Sequence, residues 1–119
     1  MIAWTVDLHP RFRVELDELA EEVVDELVAM TELLKKFGPQ LRRPHCDTLS
    51  GSRHANMKEL RFEAADGVWR VAFAFDPDRQ AILLTGGDKS GVKQKRFYRQ
   101  LIDKADERFD EHLAALAGK

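Results

Sequence analysis

Met57-Lys58-Glu59-Leu60-Arg61-Phe62-Glu63, a short Asp66-Gly67 turn, and Val68-Trp69-Arg70-Val71-Ala72-Phe73-Ala74-Phe75 decide how this chain is read. Side chains along a strand repeat with period two, so Leu60, Phe62, Trp69, Val71, Phe73 and Phe75 fall on one side of a β-hairpin. Glu59, Arg61, Arg70, Ala72 and Ala74 fall on the other. The first side makes a core. The second carries two arginines over small alanines, which predicts an open face on which a flat, negatively charged ligand such as RNA can lie.

Working outward, Ile2, Trp4, Val6 and Leu8 alternate with polar or small neighbours and predict an opening strand. Pro10 suits the first turn of a helix, where its missing N–H costs nothing. Phe12, Leu16, Leu19, Val23, Leu27, Met30, Leu34 and Phe37 then recur at helical spacing as far as Gly38-Pro39. Two arrangements fit this run: one long helix, or an antiparallel pair broken near Ala20 to Glu22, where no glycine or proline marks the break. Gln40 to Ala55 lacks periodicity and reads as a basic loop, with Arg42, Arg43, His45, Arg53 and His54 around Pro44, Ser50, Gly51 and Ser52. Beyond the hairpin come an Asp76-Pro77-Asp78 turn, a strand from Ala81 to Thr85 ending in Gly86-Gly87, and a last amphipathic helix from about Val92. Phe97, Leu101, Ala105, Phe109, Leu113 and Leu116 mark the core face of that helix. Strand, helices, three antiparallel strands and helix describe an α+β domain, and 119 residues suit a single one, spanning 1–119.

No stretch approaches the roughly 20 apolar residues that cross a bilayer. The first residues also lack a basic segment followed by an apolar one, so the expected location is the cytoplasm. The single cysteine, Cys46, has no partner for an internal disulfide and stays a thiol in a reducing compartment. A formal net charge of −2 speaks against a nucleic-acid partner until its distribution is examined. Residues 1–41 hold 4 basic and 9 acidic side chains, residues 42–99 hold 12 and 7, and residues 100–119 hold 3 and 5. The positive charge therefore travels with the hairpin.

Arg61 and Arg70 lie on neighbouring strands and the same face, where two guanidinium groups can converge on one phosphate. Plain cross-strand pairing with Glu59 or Glu63 is the competing explanation. Gly86-Gly87-Asp88-Lys89-Ser90-Gly91 lacks the spacing and the βαβ setting of a nucleoside triphosphate loop, which excludes that function. The same segment delivers Lys89 to the edge of the sheet that carries the arginines, and three cations exceed what pairing needs. Tyr98 opens the last helix among Lys93, Lys95, Arg96 and Arg99, where it can stack on a base or transfer a proton. His45, Cys46, Asp47 and His54 lack the spacing of a zinc site, so no metal is expected. No Gly-x-Ser-x-Gly elbow is present, and Ser50 or Ser52 with His54 does not make a hydrolase triad. The histidines are expected to contact a ligand phosphate or water.

Asp47-Thr48-Leu49, Met57-Lys58-Glu59-Leu60-Arg61, Trp69-Arg70-Val71-Ala72-Phe73, Gly87-Asp88-Lys89 and the Phe97-Tyr98 pair together resemble the HigB-like branch of the RelE/ParE toxin superfamily over nearly the whole chain. The resemblance implies a RelE-like fold with an N-terminal strand and helix pair, a three-stranded antiparallel meander and a C-terminal helix. It implies the toxin of a type II toxin–antitoxin module: an endoribonuclease that cleaves mRNA on the ribosome, needs no metal or other cofactor, and is held by a small helix-turn-helix antitoxin. On that resemblance Arg61 and Arg70 clamp the scissile phosphate, Lys89 adds charge, Tyr98 stacks or moves a proton, and Glu59 is either a base or an orienting carboxylate. Lys58, Arg53, His54, Lys93 and Lys95 are the accompanying RNA contacts. Two other functions remain open at this point. One is a non-catalytic protein of the same fold acting on DNA gyrase or an antitoxin, and the other is a plain RNA-binding domain.

Overall fold

The structure, a computed structural model, describes residues 3–118. Alternation at the start produces β1, Thr5–Leu8, while Ile2 lies outside the described residues. Pro10 opens α1, Pro10–Leu16, and His9 caps it by accepting a hydrogen bond from the Arg11 amide at Nδ1, 3.1 Å away. The long apolar run is two helices. Chain at residues 17–20 separates α1 from α2, Glu21–Phe37, with Ala20 extended at φ −60° and ψ 145°. This break lets Val23, Leu27, Met30 and Leu34 lie along one buried stripe instead of projecting past the domain. Gly38 ends α2 at φ +54°, and a Cβ there would sit 2.3 Å from the Trp4 ring, so both backbone and packing require glycine.

The segment expected to be irregular loop contains a 3₁₀ turn, Gly38–Gln40, and an additional strand, β2, Cys46–Thr48. Three residues are too few to show a period. Their structure is imposed by antiparallel pairing of Cys46 with Leu60, Asp47 with Glu59 and Thr48 with Lys58. The remaining elements are β3 (Met57–Ala64), β4 (Gly67–Phe75), β5 (Gln80–Asp88) and α3 (Gln94–Ala117), the last starting two residues after Val92. The sheet therefore has five strands in the order β1-β5-β4-β3-β2, with β1 parallel to β5 and every other pair antiparallel.

The hairpin turn falls one residue earlier than expected. Ala64 pairs with Gly67, and Ala65 and Asp66 occupy the turn at φ +50° and +63°. Both central residues are left-handed, the geometry that suits the twist of the flanking strands, although Ala65 bears a Cβ that this region disfavours.

Both sheet faces are covered. Phe12, Leu27, Met30 and Leu34 pack on Leu60, Phe62, Val71, Phe73 and Leu83 on one side. On the other, Phe97, Leu101, Ile102, Ala105 and Phe109 of α3 pack on Met57, Ala72, Ala74, Ile82 and Leu84. The open face expected above Ala72 and Ala74 is thus closed, because small side chains let a helix approach the sheet. Only the end of that face, bearing Glu59 and Arg61 with Arg70 directly across the ladder from Arg61, continues into the cleft described below. A bulge in β5 supports the arrangement: Ala72 pairs with Thr85 and Phe73 with Leu83, leaving Leu84 extra. The Leu84 carbonyl accepts a hydrogen bond from Arg108 Nη1 at 2.8 Å, and the same buried guanidinium donates to both Glu15 oxygens at 2.8 and 2.5 Å. Arg108 thereby ties α3 to α1 and to the sheet.

Replacing Ala65 by Asn should raise stability by roughly 0.5–1 kcal/mol, read as a higher urea midpoint, because Asn tolerates the left-handed region better. Glu15→Ala should lower stability by about 2 kcal/mol by stripping the buried Arg108 of its anion. That is less than for a fully buried pair, since the Glu15 side chain is 40% exposed.

Candidate functional site

Strand register sets the cluster. Arg61 lies directly opposite Arg70, and Gly87 of β5 continues the row. The neighbouring row is Asp47, Glu59, Ala72 and Thr85. Having no side chain, Gly87 leaves room for α3 to begin over it; a Cβ there would meet the Phe97 ring at 3.2 Å. The first turn of α3 then sets Tyr98 against Arg70, whose Nε donates to the tyrosine oxygen at 3.2 Å. Arg70 Nη1 donates to the Trp69 carbonyl at 2.9 Å, which fixes the plane of the guanidinium.

Glu59 is the buried carboxylate among these groups, only 3% exposed. Its Oε2 accepts from Arg61 Nη1 at 2.7 Å, and its Oε1 lies 3.8 Å from Arg70 Nε. Oε1 is buried and makes no hydrogen bond. The pairing with Glu59 considered from sequence therefore exists, yet one carboxylate stands among two arginines and Lys89. Asp88 holds the lysine loop in place: its Oδ1 accepts from the Val68 and Ser90 amides, each at 2.9 Å, and the Lys89 amide donates to the Val68 carbonyl at 2.7 Å. Lys89 Nζ stands 6.0 Å from the centre of the Tyr98 ring.

Loss of water and then repulsion from Arg70 and Arg61 hold the Lys89 ammonium below its usual pKa. Burial foremost raises the Tyr98 hydroxyl above its usual range; the Arg70 hydrogen bond opposes this and the Glu59 carboxylate adds to it. Glu59, Arg61, Lys89 and Tyr98 line a cleft of about 400 Å³ with Arg43, Thr48, Leu49, Ser50 and Gln94. Thr48 reaches it on β2 and was marked in sequence only by the Asp47-Thr48-Leu49 motif, while Ser50 and Arg43, on either side of that strand, were marked only as members of a basic loop.

The other residues singled out from sequence are dispersed. His54 Nε2 hydrogen-bonds Asp110 Oδ1 at 2.7 Å and its ring meets Phe109 edge-on. Arg53 pairs with the same Asp110, and its amide donates to Asp106 Oδ2 at 3.2 Å. Both are engaged by carboxylates of α3 and do not stand free. Lys58 pairs across the ladder with Phe73 and so lies on the sheet face opposite the arginines. Lys93 and Lys95 are exposed and flank Gln94 at the start of α3.

Similarity to known proteins agrees with this architecture. Residues 14–110 match the family described as phage-derived protein Gp49-like (DUF891). The chain is 44% identical over 114 residues to the "Putative toxin HigB2" of Mycobacterium tuberculosis, covering 95% of this chain and 56% of that protein. It is also 44% identical over 100 residues to the "Putative toxin HigB3" of the same organism, covering 84% and 85% respectively. The chain thus spans little more than half the length of the first of these relatives. Its fold is similar to the free state of a double arginine-to-alanine mutant of the E. coli toxin RelE, with a TM-score of 0.63 at 12% identity, covering 87% of this chain and 97% of that one. The chain belongs to the Gp49-like family, together with relatives named as putative HigB toxins, and shares its fold with RelE.

Proposed function

We propose that this protein is the toxin of a type II toxin–antitoxin module, a metal-independent endoribonuclease that cuts mRNA on the ribosome in the cytoplasm. One observation carries this reading: a buried carboxylate with a free oxygen, Glu59, set between Arg61 and Arg70 in reach of Tyr98 and Lys89. The shifted Lys89 and Tyr98 in the same cleft add to this, since perturbed titratable groups cluster at reactive sites. The named toxin relatives support the same conclusion.

The chemistry follows from the charges. Glu59 Oε1 accepts the proton of a ribose 2′-hydroxyl. The 2′-oxygen bonds to the adjacent phosphorus as the P–O5′ bond breaks, leaving a 2′,3′-cyclic phosphate and a 5′-hydroxyl. Arg61 and Arg70 take the non-bridging oxygens, where negative charge grows, and Lys89 adds a third cation. Tyr98 stays protonated and already accepts a hydrogen bond from Arg70, which leaves its own proton for the departing O5′. A small helix-turn-helix antitoxin, encoded next to this gene, neutralises the toxin by laying an acidic or helical segment over the cationic cluster.

Mapping of mRNA 5′ ends after induction in a bacterial host should reveal new cuts together with growth arrest, both lost in Arg70→Ala and Arg61→Ala with a rate loss of about 10²–10³. Arrest without cuts would point to a gyrase-type mechanism, and RNA binding without cleavage to a plain binding domain. The pH profile supplies a second test. Lys89 works as the cation, and its pKa lies below the ordinary 10.5, so kcat/KM should fall as pH rises through that lowered value. Lys89→Arg, charged at all accessible pH, should remove this alkaline limb.

A further inference from the structure

Arg61 also borders a second cleft, where Arg70 joins it. Arg61 and Arg70 form part of a hollow of about 460 Å³ whose remaining walls include Met30, Phe62, Pro44 and Val68. Into the same hollow come the side chains of Glu26 from α2 and Glu63 from β3. It opens where β2 has ended: the β2 ladder reaches only Leu60, and His45 contributes a single carbonyl to the Arg61 amide at 2.8 Å. Both glutamates are exposed, and neither has an ion-pair or hydrogen-bond partner among the described residues.

This mixture of groups differs from that of the first cleft. Here two carboxylates offset the two arginines, so the hollow favours a phosphate less than the first cleft does. Apolar walls with unoccupied hydrogen-bond acceptors suit a nucleobase, whose faces are apolar and whose edge carries donors. Arg61, common to both clefts, and Arg70 directly opposite it put such a base within the same nucleotide as the phosphate they would hold.

We infer that this hollow is a base subsite adjoining the scissile phosphate, and that Glu26 and Glu63 make it selective for guanine. The inference rests on the RNA-cleaving reading above and names its specificity. Guanine presents N1–H and the N2 amino group side by side, two donors matched to the two oxygens of a carboxylate. Adenine and cytosine offer one amino group beside an acceptor nitrogen. Uracil offers one N–H between two carbonyl oxygens, which a carboxylate repels. Rejection of a base that leaves a polar group unpaired is stronger than rejection by shape alone.

The test is binding of guanosine 3′-monophosphate and uridine 3′-monophosphate to the full chain, measured by NMR titration. The wild type should prefer the guanosine nucleotide by about tenfold, the scale of one well-placed paired contact. Glu63→Gln and Glu26→Gln should each cut that preference severalfold, whereas Arg70→Ala should weaken both nucleotides alike. Both glutamates are exposed, so unchanged thermal midpoints should accompany the altered ratio. Equal affinity for the two nucleotides, no binding of either, or a ratio unmoved in both glutamine variants would overturn the inference; a hollow that serves an antitoxin side chain instead gives the first of these results. Failure here is separable from failure of the cleavage reading. A protein that cuts mRNA in an Arg70-dependent way yet binds the two nucleotides equally loses only the base subsite.

Discussion

The close seating of α3 on the alanine strip of β4 governs the rest of the molecule. Ala72 and Ala74 are fully buried, and their small size brings the helix near enough for Phe97, Leu101, Ile102, Ala105 and Phe109 to close a second core layer. With α1 and α2 on the opposite face, the sheet is apolar on both sides through most of its extent. The helix starts over Gly87, and the polar cluster forms where that apolar layer gives way to Arg70, directly across the ladder from that glycine. Helix position thus defines the site by covering the apolar part of that face.

Within the site, charge and burial work against each other. Glu59 and Arg70 are almost without solvent, and the surroundings leave an excess of positive charge beside a single carboxylate. Such an arrangement is costly for a protein by itself, because buried charges lose hydration that pairing only partly restores. The lowered pKa of Lys89 expresses that cost directly. An anion placed among these cations would relieve it, so the same feature that strains the free protein would favour such a ligand. Backbone anchoring keeps the strain from being relaxed by movement. Asp88 fixes the loop that carries Lys89, and the Trp69 carbonyl fixes Arg70.

Arg108 is the second device. Its guanidinium reaches the Glu15 carboxylate and the carbonyl of the bulged Leu84, joining three elements far apart in sequence. The bulge turns both Leu84 and Thr85 toward α3 and so shifts the phase of β5 just before Gly86 and Gly87. Without that extra residue, the alternation leading to Lys89 would run in the opposite phase.

Local periodicity was enough to read the hairpin, the helical runs, the α+β order and the convergence of Arg61 with Arg70, since strand and helix spacing are properties of neighbouring residues. The HigB-like resemblance rests on the same hairpin together with Asp47-Thr48-Leu49, Gly87-Asp88-Lys89 and Phe97-Tyr98. What local pattern cannot carry is whatever a distant partner imposes. β2 is a strand because β3 pairs with it, and Ala65 rather than Gly67 enters the turn because register fixes the ends of both strands. His54 and Arg53 looked free in sequence, yet carboxylates of α3 more than fifty residues away hold them. Alternation assigned Ala72 and Ala74 correctly to the face of the arginines, but only tertiary packing decided that this face is core at one end and cleft at the other. The sequence by itself determined which side chains share a face; the docking of α3 determined which of them meet solvent, because burial depends on what lies across the gap and not on the strand that bears the residue.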